Sequence, residues 1–301
     1  MAEKGQGVSI PLRFLPIIPF MPMVTQVTPA DSSSVLGQPV ALGWRARVLV
    51  ALERYFPVRT GITNVETISQ HEQAVAERDW NGLLEPLGDL QNKTILDFGC
   101  GCGGQTLWLA GRAGQVAGCD ITLAYIEQAK KSAFVTGRDN IDFRLTTGID
   151  LPWADQTFDA VVSIDTFEHV SHVAEVLREI RRVLKPGGSF LTRFGPLFHG
   201  PLGYHLMSVT QVPWAHVILG FPPFKQLITH KQGSCSAQSW KQLGMNQITY
   251  REFHLAVQQA GLEIVFMNRI PVRRLRWFSC LPVLGDYLTF GISCHLRRSG
   301  V

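Results

Sequence analysis

The sequence of 301 residues lacks a strong excess of either charge, a paired-cysteine framework and an uninterrupted apolar run. With 28 Lys and Arg against 24 Asp and Glu, bulk electrostatics gives no reason to expect a nucleic-acid partner. Cys100, Cys102, Cys119, Cys235, Cys280 and Cys294 are scattered and form no CxxC pair. That usage fits reduced thiols and a cytoplasmic location better than a disulfide scaffold. Cys100-x-Cys102 lies between glycines of a turn with no histidine partner pattern around it, so no metal site is expected there. The apolar stretch from Pro11 to Val24 is broken by Pro11, Pro16, Pro19 and Pro22, which forbid a continuous helix and argue against a membrane span or a signal-peptide core. There is no internal repeat.

What is present divides into three parts. Residues 1–40 are rich in Pro, Ser and Gly and read as an irregular arm. Residues 41–92 read as a helical segment, with helical spacing over Trp44–Tyr55 and Ile68–Leu84, expected to lie over the entrance of the third part. From residue 93 to 301, short apolar runs alternate with amphipathic stretches. Strands are expected at Thr94–Phe98, Gln115–Cys119, Ile141–Leu145, Ala160–Ile164 and Ser189–Arg193, with later ones at Leu262–Met267 and Tyr287–His295. Helices are expected at Gln105–Ala113 and Thr122–Val135, on the face Val173, Val176, Leu177, Ile180 and Leu184 ended by Pro186-Gly187-Gly188, and at Tyr250–Ala260. Such alternation predicts an α/β fold: a doubly wound, Rossmann-like open sheet with helices on both faces. Residues 195–245 break the rhythm and read as an insertion after strand five, over the ligand crevice at the carboxyl edge.

Strand Ile95–Phe98 runs into Gly99-Cys100-Gly101-Cys102-Gly103-Gly104 and then a helix. Glycines are needed where the backbone turns tightly and a ligand approaches it. Gly99, Gly101 and Gly104 satisfy GxGxxG, and Asp120 closes the second strand, so a nicotinamide dehydrogenase is one reading. Against it, Asp97 puts a carboxylate at the strand end, suited to a cationic ligand and poorly suited to a pyrophosphate, and no Tyr-x-x-x-Lys pair follows any of the five tyrosines.

The downstream residues are more specific. Asp150-Leu151-Pro152-Trp153, then Gln156-Thr157-Phe158-Asp159-Ala160-Val161-Val162, Phe167-Glu168-His169-Val170 and Leu184-Lys185-Pro186-Gly187-Gly188 together resemble the class I S-adenosylmethionine-dependent methyltransferases, closely over residues 80–195. The resemblance implies a seven-stranded sheet of order 3-2-1-4-5-7-6 with strand seven antiparallel. It implies S-adenosyl-L-methionine as the methyl donor, with Asp97, Gly99, Cys100, Gly101 and Gly103 around the methionine part. Asp120 would meet the ribose, Thr147, Gly148 and Ile149 the adenine, and Asp165 with Thr166 the methionine side, with Ile121 also among the cofactor-binding residues. Many members carry Gly-Asp-Ala where this chain has Thr146-Thr147-Gly148, so the adenine-amine contact would fall to Thr147 or Asp150.

A sulfonium methyl is already electrophilic, so positioning is the protein's main task and a base adds to it when the acceptor is a hydroxyl. Histidine suits that role near neutral pH. The candidates are His169 after strand four and His199 and His205 in the insertion, with Tyr204 and His216 close by. The plainer reading of each is packing without proton transfer. An apolar, aromatic insertion favours a small apolar or aromatic acceptor, with O-methylation ahead of C- or N-methylation. Arg273, Arg274, Arg276 and Trp277, followed by Phe278, Leu281 and Leu284, could form a weak membrane-surface or RNA contact, although a solvated connection explains them as well. RNA or protein methylation, and a non-catalytic regulator of the same fold, are the rival functions. Oligomeric state is not legible in the sequence.

Overall fold

The computed structural model describes residues 41–58, 65–272 and 284–300. The expected Pro-rich arm at 1–40, and the basic stretch from Arg273 to Leu281, lie outside the described residues.

Seven strands form one sheet of order β3-β2-β1-β4-β5-β7-β6. They are β1 (Thr94–Phe98), β2 (Gln115–Asp120), β3 (Ile141–Leu145), β4 (Phe158–Ile164), β5 (Leu184–Phe194), β6 (Leu262–Pro271) and β7 (Thr289–Arg298). The first five pair in parallel, as Ile95 does with Val116 on one side and Ala160 on the other. β7 runs antiparallel between β5 and β6.

Strand alternation sends neighbouring side chains into different cores. Leu96, Phe98, Val161 and Phe190 pack on one face beneath α5 (Val173–Val183) and α8 (Tyr250–Ala260), whereas Ile95, Ala160, Val162 and Leu191 pack on the other with Trp80, Trp108 and Leu109. Trp80 belongs to α2 (Val65–Leu84), and Trp108 and Leu109 to α3 (Gly104–Ala110). The α5 stripe Val173, Val176, Leu177, Ile180 and Val183 is wholly buried. α8 begins in a capping box, with Glu252 N–H donating to the Thr249 side chain and Thr249 N–H to Glu252, and ends at left-handed Gly261. α4 (Leu123–Val135) packs beside β2 and β3.

Two expectations shift. The helix expected to run into Pro186-Gly187-Gly188 stops at Val183, and Leu184 already pairs with Phe158. The glycines are instead absorbed as a register shift within β5, since Ala160 next pairs with Ser189. Residues 195–245, read as irregular, hold α6 (Ala215–Leu219) and α7 (Phe221–Gln232). With α1 (Trp44–Leu52) they enclose a separate core that includes Tyr204, Phe224 and Trp240, whose mixture of prolines and aromatics hides the helical period.

Candidate functional site

β1 and β2 end side by side, and the chain leaving β1 must turn at once. Gly99 and Cys100 N–H both donate to the Cys119 carbonyl, and Gly99, Gly101 and Gly103 all have positive φ. At Gly99 a side chain is doubly excluded: φ is +77°, and a Cβ would stand 2.4 Å from Thr166 Oγ1. The turn is thus pressed against the end of β4. Asp165, at φ +49°, and Thr166 follow directly on that strand.

Three carboxylates surround this turn. Asp97 is fully buried; its Oδ2 accepts from Thr106 Oγ1 at 2.7 Å, while Oδ1 has no partner. Asp120 accepts from Gly101 N–H at 3.2 Å and Thr122 N–H at 2.9 Å. Glu72, contributed by α2, accepts from Cys102 N–H at 3.3 Å and Gly104 N–H at 2.9 Å. Burial pushes the Asp97 carboxyl up to about 7 and the Glu72 carboxyl up to about 8, with neighbouring acids adding to both; burial also raises Asp120. None of the three forms an ion pair among the described residues.

This arrangement separates the two readings of the glycine turn. A diphosphate needs the N–H groups at the start of the helix after the turn. Here Glu72 already accepts two of them, and Asp97 and Asp120 add like charge. The cradle therefore fits a positively charged ligand and opposes a diphosphate.

The side expected to meet adenine is more open. Ile121 is exposed at the end of β2 and its Cγ2 lies 3.6 Å from a Cβ built on Gly148, the pair forming an apolar edge. Thr147 is exposed, its Oγ1 accepting from Asp150 N–H at 3.3 Å, and Ile149 is half-buried. Cys100 is buried against the turn; desolvation pushes its thiol up, as an inert packing residue requires. Cys102, Cys119, Cys235 and Cys294 are likewise free thiols.

The segment after Thr166 carries the second half of the site. The His169 and His205 rings meet edge to face with centroids 4.9 Å apart. His169 Nδ1 donates to the Gly244 carbonyl at 3.1 Å, and His205 Nε2 to the Pro196 carbonyl at 2.7 Å. A carbonyl only accepts, so these nitrogens carry the protons and His169 Nε2 and His205 Nδ1 keep lone pairs. Burial holds both imidazoles neutral, His205 being pushed down to about 3. Glu168 is buried beside them with Oε2 unpartnered. Asn246 braces the segment: its Nδ2 donates to the Phe167 and Val170 carbonyls at 2.5 and 2.8 Å.

His199 does not join this group. It packs against Tyr287, ring centroids 5.4 Å apart, and next to His216, whose Nε2 donates to the Phe198 carbonyl. Sequence reasoning assigned no role to Glu72 or Asn246 and gave Glu168 none beyond the motif. Glu72 had a signal: it lies on the buried stripe Ile68, Ala76 and Trp80 of α2, where an acid is out of place unless it has partners. Asn246 had none, because its importance comes from contacts with residues 79 and 76 positions away.

The sheet order is the one that the resemblance to class I S-adenosylmethionine-dependent methyltransferases implied. Residues 96–192 match the family model described as a methyltransferase domain. Methyltransferase GfsG of Streptomyces halstedii is 35% identical over 114 residues, covering 37% of this chain and 41% of that protein. A ubiquinone biosynthesis O-methyltransferase of Cereibacter sphaeroides is 38% identical over 117 residues, 39% of this chain and 46% of that protein. The chain thus spans less than half the length of these curated relatives. Among solved structures, geranyl diphosphate C-methyltransferase from Streptomyces coelicolor A3(2), in complex with Mg2+, geranyl diphosphate and S-adenosyl-L-homocysteine, shares the fold. Its TM-score is 0.51 at 19% identity, over 75% of this chain and 80% of that one.

Proposed function

We propose that the protein transfers the methyl group of S-adenosylmethionine to an oxygen of a small apolar or aromatic acceptor. The observation that carries this reading is the charge of the cradle: Glu72, Asp97 and Asp120 converge on a glycine turn whose leading N–H groups are already taken by a carboxylate. When bound there, S-adenosylmethionine supplies an electrophilic methyl on a positive sulfur.

The chain's own residues bind, orient and accept a proton. Asp120 holds ribose hydroxyls, and the free Oδ1 of Asp97 meets the positive methionine portion. Ile121, Gly148 and Ile149 flank the adenine, with Thr147 at its edge, and Gly99 to Gly103 let the ligand approach the backbone. Asp165 and Thr166 stand beside the methionine. Past Thr166, the neutral imidazole of His169 takes the proton of an acceptor hydroxyl, a contribution on the order of 10² to 10⁴ in rate, while His205, pushed down to about 3, packs edge to face against it and positions it. The aromatic insertion supports an apolar acceptor, and the similarity to a ubiquinone biosynthesis O-methyltransferase agrees with an oxygen nucleophile. Among the described residues no helix is long and apolar enough to cross a membrane.

The test is to incubate the protein with methyl-labelled S-adenosylmethionine and a panel of phenols, hydroxyquinones and hydroxylated polyketides, and to identify products by mass spectrometry. A labelled O-methyl product supports the reading. Label entering only RNA or protein, or cofactor binding with no transfer to any panel member or host extract, overturns it in favour of macromolecular methylation or a regulator.

A further inference from the structure

We propose that Glu168, His169 and His205 form a binding site for one divalent transition-metal cation, with Glu168 Oε2, His169 Nε2 and His205 Nδ1 as ligands. One donor atom from each of the three side chains lies within 4.8 Å of the others. No cysteine or paired-histidine motif announces this site in the sequence, because His205 is 36 residues beyond His169 and arrives on a different segment.

Three independent features point to a cation rather than to packing. First, the Glu168 carboxylate is buried, and its Oε2 has no hydrogen-bond partner, a costly state for an acceptor unless something positive meets it. Second, both imidazoles are fixed by the backbone. Each donates one ring N–H to a carbonyl, Gly244 for His169 and Pro196 for His205, which leaves its other nitrogen as a lone pair. A ring N–H held by a carbonyl is the outer support that metal-ligating histidines ordinarily have. Third, His205 is set at φ +55°, a left-handed conformation that a non-glycine residue holds only when its surroundings enforce it. The wider frame is rigid as well, since Asn246 ties the Phe167 and Val170 carbonyls together around the two ligands that lie between them.

Two imidazoles and one carboxylate suit Zn2+, Co2+, Mn2+ or Fe2+ rather than an all-oxygen site for Mg2+ or Ca2+. At about 2.0 to 2.2 Å from each ligand, such an ion would draw the three atoms together by a small side-chain adjustment and leave open positions. Binding engages Glu168 as the ionised carboxylate. These three side chains are sufficient to hold the ion whatever the protein's reaction. What the cation would do rests on the methyl-transfer reading: an open position three residues past Thr166 would take the acceptor's oxygen and favour loss of its proton, in place of direct transfer to imidazole.

The experiment titrates Co2+ alone into the full chain, purified with chelator and without S-adenosylmethionine. The wild type is expected to take up one equivalent, with visible d–d absorption. Its proton spectrum should gain two exchangeable, strongly shifted resonances, the His169 Nδ1–H and His205 Nε2–H. Glu168→Gln and His205→Ala should each weaken binding by about tenfold or more, while His230→Ala, exposed on α7, should leave it unchanged. Absence of the two shifted ring N–H signals in the wild type overturns the assignment without depending on any variant folding. Unaltered Co2+ affinity in a Glu168→Gln protein of native circular dichroism overturns it too. Cofactor titration is a separate measurement, so loss of this inference and loss of the methyl-transfer reading are distinguishable.

Discussion

The Glu72 carboxylate accepts the Gly104 N–H at 2.9 Å, and so an N-terminal helix is fastened to the first residue of the helix after the glycine turn. Gly104 must be glycine for the same reason: a Cβ there would stand 2.0 Å from the Ser69 carbonyl one turn earlier on α2. Replacing Glu72 by Ala strands two buried N–H donors, Cys102 and Gly104. We expect a loss of about 1 to 3 kcal/mol in unfolding free energy, read by urea denaturation, with weaker cofactor binding. Unchanged stability would show that the clasp is not formed.

Gly99→Ala forces a Cβ against Thr166 and asks alanine to hold a left-handed φ. The expected cost is about 1 to 3 kcal/mol, with cofactor affinity falling in parallel. Thr166→Ala in the same chain should recover part of the loss, because the clash is shared between the two residues while the φ strain is not. Strictly additive effects would mean that the two residues do not touch.

The buried acids set the pH dependence. Asp97 titrates near 7 and Glu72 near 8 in the folded chain, against about 4 when unfolded. Between those values the folded state holds protons that the unfolded state has lost, so the ligand-free protein loses stability as pH rises from about 5 to about 8. A cationic ligand prefers the ionised acids, so its affinity rises over the same interval. Denaturation and titration at both ends of the range check the two slopes, and Asp97→Asn should flatten both. A ligand-free protein that becomes more stable with rising pH would contradict the assignment.

The two histidines of the cluster should matter more than the third candidate. His169→Ala and His205→Ala are expected to reduce turnover by about 10² or more while sparing cofactor affinity, whether the pair takes a proton or holds a cation. His199→Ala, whose ring packs on Tyr287, should have a much smaller effect on kcat. Equal losses from all three would point to general damage in the insertion.

The sheet was legible because its signals are local. Ile95 to Phe98 alternates between two cores and ends in obligatory glycines, and α5 shows its buried stripe directly in the chain. Strand order followed from the resemblance rather than from spacing. The insertion was less legible, since α7 starts with Phe221-Pro222-Pro223 and its partners, Trp240 and Tyr204, come from distant turns. At the site, Asp97 and Asp120 sit at strand ends, where pattern reading finds them. Glu72 shows only as an acid on the buried stripe of α2, and its partners, like the pairing of His169 with His205, arise when separate segments meet.

The proposed methyl transfer depends most on the sign of the charge that the glycine cradle accepts. Calorimetric titration of the full chain with S-adenosylmethionine, and separately with NADH, tests it. One saturable site for S-adenosylmethionine, weakened by about 1 to 3 kcal/mol in Asp120→Ala, with no saturable NADH binding, is the predicted result. Saturable NADH binding without S-adenosylmethionine binding would contradict it.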